Sequence, residues 1–183
     1  SYMDKINVIG FDADDTLWHN EVHFRSTEAA FRELLRPYHD EAWIDARLLE
    51  TEVRNLRRYG YGVKSFVLSM IETALELTEG RVRGWEIQRI LEWGREMLDR
   101  PVEPLPHVEA CLRALVGRYR LWIVTKGDLL DQETKVARSG LGDFFEEVIV
   151  VTEKDVPTYR ELLERRSVDP STFLMVGNSL KSD

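Results

Sequence analysis

A chain of 183 residues with 43% apolar content can bury a hydrophobic core, which excludes a disordered polypeptide and fits one domain, or one domain carrying an insert. The formal net charge of -8, from 33 acidic against 25 basic residues, opposes the broad basic footprint that a nucleic-acid backbone requires. No apolar run reaches membrane-span length and the N-terminus lacks the long apolar stretch of a signal peptide, so a soluble, cytoplasmic protein is expected, with no membrane and no nucleic-acid partner.

Residues 5–11 (KINVIGF) form a short apolar, β-branched run that opens into an acidic turn at Asp12 to Asp15. This pattern predicts a buried strand ending in a polar loop. From residue 21 the period changes to that of helices, and four are predicted, at 21–36, 40–58, 64–78 and 83–99, broken at Pro37 and around Gly60 and Gly62. Phe66, Val67, Met70, Ile71, Ala74 and Leu75 share one face of the third. Trp43, Trp85 and Trp93 are expected as packing residues of this helical stretch.

After the proline-containing segment 101–106, strands and helices alternate. Strand-like runs lie at 119–125, 146–151 and 172–177, and helical patterns at 107–117, 129–139 and 156–166. Cys111, the single cysteine, falls in the first of these helices, where a buried and inert thiol is expected. Near-continuous apolar strands alternating with helices imply a Rossmann-like α/β fold, a parallel sheet with helices on both faces. The expected organisation is an α/β core from residues 1–18 and 102–183 interrupted by a four-helix insert at 19–101. The sequence stops at Asp183, directly after a strand with no helix to cover it, so a truncated C-terminus is expected.

The polar residues that stand out all follow predicted strands, where ligands bind in open parallel sheets. Asp12 and Asp14 are two carboxylates two residues apart, a spacing that lets one act as nucleophile and the other as acid and base. A Ca²⁺-binding EF-hand loop would need Gly and Glu where this chain has Leu17 and His23. Thr125, Lys126 and Gly127 put a hydroxyl and backbone N–H groups where a helix begins, a favourable place for an anion. Lys154 follows the third strand, and Gly177, Asn178 and Ser179, with Asp183, follow the fourth.

Taken in this order, Asp12 with Asp14, Thr125, Lys154, and Asn178 with Asp183 resemble the four motifs of the haloacid-dehalogenase-like (HAD) hydrolase superfamily, in its phosphatase branch with a helical cap inserted after the first motif. The resemblance implies a phosphohydrolase acting on a small phosphorylated metabolite. Asp12 would be the nucleophile and Asp14 the acid and base, with Thr125, Lys126, Gly127 and Lys154 on the phosphate. It also implies Mg²⁺ held by Asp12, the Asp14 carbonyl, Asn178 and Asp183. Asn178 departs from the pattern, which has a carboxylate there, and Asp155 with Val156 separates Lys154 from Pro157. Arg57, Arg58, Tyr59, Tyr61 and Lys64, in a donor-rich turn of the insert, are candidates for contacting the leaving group.

Three alternatives stay open. A 2-haloacid dehalogenase shares the fold and the Asp nucleophile but needs neither metal nor Asp14. A catalytically silent phosphate-binding member would tolerate Asn178. A signalling receiver domain has its acceptor Asp after the third strand and no helical insert after the first.

Overall fold

The computed structural model describes residues 2–178. In chain order the elements are β1 (Val8–Phe11), α1 (Glu21–Leu35), α2 (Glu41–Tyr59), α3 (Val63–Leu77), α4 (Gly84–Asp99), α5 (Val108–Leu115), β2 (Arg120–Lys126), α6 (Leu129–Ser139), β3 (Glu147–Val151), α7 (Val156–Arg165) and β4 (Phe173–Val176). They form two compact units, Ser1–Asn20 with Pro101–Asp183, and Glu21–Arg100.

The first unit is an α/β fold whose four strands are all parallel, in the order β3-β2-β1-β4. β1 therefore lies inside the sheet between the strands that lead to Thr125 and to Asn178, as bringing Asp12, Thr125 and Asn178 together requires. Ile9, Phe11, Leu121 and Ile123 face a core closed by Leu112, Val136 and Leu141, on or near α5 and α6. Val8, Trp122 and Val124 face the opposite way, onto Leu162, Leu163 and Val168 at α7. This alternation follows from the two-residue period of a strand, and it explains why each strand sequence is apolar throughout. Gly10 is needed for packing: a Cβ there would lie 2.8 Å from the Phe173 ring.

β1 starts three residues later than its apolar run, because Tyr2–Lys5 coils into a 3₁₀ turn closed by the Ile6 N–H on the Met3 carbonyl. Cys111 is exposed, not buried, since α5 turns Leu112 into the core and the neighbouring position points about 100° away.

The second unit is helical. Phe31 and Leu35 of α1, Ile44 and Leu48 of α2, Phe66 and Met70 of α3, and Ile90 and Trp93 of α4 build its core. Trp93 packs as expected, but Trp43 and Trp85 are about half exposed, sitting near the first turns of their helices.

Glu52 of α2 has a buried Oε1 with no hydrogen-bond partner among the described residues. Burial, reinforced by the nearby Glu28, pushes its carboxyl up from 4.5 to about 7. A raised carboxyl pKa means the folded state binds the extra proton, so the contribution of Glu52 to stability is fully present below pH 4.5 and is lost as pH rises through about 7. Glu52→Gln is expected to stabilise by about 1 kcal/mol at pH 8, discounted for partial exposure, and by nothing measurable at pH 4. Thermal melts of both proteins at the two pH values check this; an equal gain at both would refute it.

Candidate active site

The loop after β1 is a tight turn fixed by its own backbone. The Ala13 carbonyl accepts from the N–H groups of Thr16 and Leu17, and Asp15 adopts a left-handed conformation with its N–H on the Trp18 carbonyl. Ala13, Leu17 and Trp18 are buried beneath it, so hydrophobic anchors hold the polar turn at the end of the sheet. The Asp12 N–H donates to the Val176 carbonyl at 2.8 Å, which ties the turn to the end of β4.

The two carboxylates of this turn are held by different elements. Asp12 Oδ1 accepts from Lys154 Nζ at 2.9 Å, and that lysine side chain is only 3% exposed. A solvated lysine would keep its ammonium in water, so this one is placed by the fold. Asp14 accepts from three donors: Trp18 Nε1 at 3.0 Å and Lys135 Nζ at 3.1 Å on Oδ1, and Gln132 Nε2 at 2.9 Å on Oδ2. Lys135 also donates to Asn20 Oδ1 and lies 3.6 Å from Asp131 Oδ2. Burial pushes the Asp131 carboxyl up, Lys135 pulls it down, and Asp14 and Asp128 push it up again.

Thr125 and Lys126 close β2, with Thr125 buried and its hydroxyl donating to the Lys126 carbonyl. Asp128 caps α6, its carboxylate accepting from the Asp131 N–H. That carboxylate occupies the helix terminus where an anion would bind. The Lys126 ammonium lies 3.7 Å from Glu153. The residues between Lys154 and Pro157 have a purpose: Asp155 caps α7, and its hydrogen bonds with Thr158 hold its carboxyl below the usual range. Asn178 follows β4 and is exposed, while Ser179 and Asp183 lie outside the described residues.

Asp12, Asp14, Thr125, Lys126, Gly127, Lys154 and Asn178 thus gather at the carboxyl ends of adjacent parallel strands. Arg57, Arg58 and Tyr59 end α2, Tyr61 lies in the turn, and Lys64 begins α3, all within the helical unit. Gln132 and Lys135 escape the sequence pattern. Their signal was a polar line on α6 at 128, 132 and 135, indistinguishable in one dimension from a solvated face.

Among the described residues no three His, Cys, Asp or Glu side chains cluster to hold a metal by themselves. The donors present at this end of the sheet are hard oxygens: the Asp12 carboxylate, main-chain carbonyls and the Asn178 amide. Such a set fits Mg²⁺, which typically takes one or two carboxylates and keeps several waters, and does not fit a soft metal.

A model of the haloacid dehalogenase-like hydrolases matches residues 6–183. A pyrimidine 5'-nucleotidase of Escherichia coli is 28% identical over 123 residues, 61% of this chain and 55% of its own length. A glyceraldehyde 3-phosphate phosphatase of Methanothermobacter thermautotrophicus is 30% identical over 88 residues, 45% of this chain and 39% of its own. The chain therefore spans about half the length, or less, of these relatives. A haloacid dehalogenase-like hydrolase from Xanthomonas campestris has a crystal structure that superposes with a TM-score of 0.92 at 46% identity, over 98% of this chain and 76% of its own. With the family model matched from the first strand onward and the parallel sheet in place, the chain belongs to the haloacid dehalogenase-like hydrolases.

Proposed function

We propose that this hydrolase is a Mg²⁺-dependent phosphomonoesterase that acts on a small phosphorylated metabolite through an aspartyl-phosphate on Asp12. The observation that carries the reading is the second carboxylate. Asp14 is held by three donors two residues from Asp12, and a dehalogenase, whose halide leaves without a proton, has no use for it. The names of the two relatives, a nucleotidase and a phosphatase, support the same class.

In the first step an Asp12 carboxylate oxygen attacks phosphorus as the bond to the leaving oxygen breaks, and Asp14 gives that oxygen a proton. In the second, water attacks phosphorus, its proton passes to Asp14, and the Asp12 carboxylate is released. Lys154 and the amides near Lys126 and Gly127 act by charge and position on the phosphoryl oxygens, with the Thr125 hydroxyl beside them. Asp12, the Asp14 carbonyl and Asn178 would hold Mg²⁺, joined by Asp183. When bound, the ion supplies positive charge against the phosphoryl oxygens. Asn178 contributes no negative charge to such a site. The helical unit would serve as the cap, with Arg57, Arg58, Tyr59, Tyr61 and Lys64 sampling the leaving group. The lone cysteine suits a cytoplasmic setting.

Hydrolysis of an aryl phosphate is expected to be lost on chelation and restored by added Mg²⁺. Halide release from a 2-haloacid without metal would instead identify a dehalogenase, and activity in neither assay a silent member.

A further inference from the structure

Resting on the phosphohydrolase reading, we propose that Gln132 and Lys135 of α6 are positioning residues that hold Asp14 against the leaving oxygen, with Gln132 also locking the phosphate-binding loop to it. The two side chains lie three residues apart, on one face of a helix, and reach back to a loop more than a hundred residues earlier. Gln132 is 2% exposed, and its Nε2 donates both to Asp14 Oδ2 at 2.9 Å and to the Lys126 carbonyl at 3.0 Å. The Lys126 carbonyl can only accept, so it fixes which end of the amide faces Asp14. Rotating the amide would set Oε1 against that carbonyl.

Gly127 completes the lock. It has φ of 140°, and a Cβ there would sit 2.7 Å from Gln132 Nε2. The amide that closes on Asp14 is therefore packed against the backbone proposed to bind the phosphate. Lys135 supplies the other side of the clamp, at 3.1 Å from Oδ1, and is itself oriented by Asn20 and Asp131. Trp18, the third donor, belongs to the same turn as Asp14.

A group that aims a proton donor matters only when the leaving oxygen needs a proton. A nitrophenolate leaves without one, whereas an alkoxide does not. The test compares kcat/KM, which reports the step that expels the leaving group, for 4-nitrophenyl phosphate and for an alkyl phosphate, in wild type, Gln132→Leu, Lys135→Met and Lys135→Arg. The ratio of the two values within one protein is unaffected by the fraction folded. For Gln132→Leu and Lys135→Met the alkyl value is expected to fall about 100-fold, the size of a general-acid contribution, and the aryl value about threefold. Lys135→Arg is expected to recover most of the alkyl loss. Equal losses on both esters, or none on either, would overturn the positioning role while leaving the phosphohydrolase reading intact. Wild-type protein that hydrolyses neither ester with Mg²⁺ would overturn both.

Discussion

Asp12→Asn is expected to reduce kcat by on the order of 10⁴-fold or more, because an amide is not a competent nucleophile and no other carboxylate in the turn can replace it. Asp14, the nearest candidate, is held by Trp18, Gln132 and Lys135. The substitution also touches stability. Lys154, only 3% exposed, loses the charge opposite its ammonium, although the amide oxygen still accepts its hydrogen bond. A cost of about 1–2 kcal/mol follows, seen as a melting temperature lower by a few degrees. Steady-state assays with a mass check for deamidation, and a thermal melt, measure the two effects. Wild-type turnover in the Asp12→Asn variant, shown by mass to have kept its amide, would remove Asp12 from the mechanism.

Lys154→Met is expected to lower kcat/KM by about 10²–10³-fold and to weaken competitive inhibition by inorganic phosphate. The magnitude separates this lysine from an ordinary surface cation. An exposed ion pair contributes about 1 kcal/mol at most, under tenfold in rate, whereas a buried ammonium aimed at the developing phosphoryl charge contributes several times as much. Its burial at 2.9 Å from Asp12 is the basis for expecting the larger effect. A loss under tenfold, with phosphate inhibition unchanged, would return Lys154 to a structural role.

The fold was legible because two periods are written into the chain. Fully apolar strand runs can only be buried on both faces, and the 3.6-residue pattern between residues 21 and 100 can only be helical. The strand-end residues Asp12, Thr125, Lys154 and Asn178 were legible for the same reason: a parallel sheet brings its carboxyl ends together whatever the details of packing. Gln132 and Lys135 were not, since their partner Asp14 lies 118 and 121 residues away and nothing local encodes the encounter. Asp128 is the N-cap of α6 because the backbone stays extended through Lys126, which carries Thr125 into the strand. Cys111, Trp43 and Trp85 mark the limit of composition as a guide to burial, as one helical step decides which neighbour faces the core.

The proposed covalent bond between Asp12 and phosphorus can be caught directly. Enzyme mixed with substrate and Mg²⁺, quenched in acid during turnover and reduced with borohydride, converts an aspartyl-phosphate into homoserine at the residue that carried it. Mass analysis of the peptide spanning Val8–Trp18 is predicted to show homoserine at position 12 and an unchanged Asp14. Homoserine at another position, or none anywhere while substrate is demonstrably turning over, would exclude an aspartyl-phosphate on Asp12.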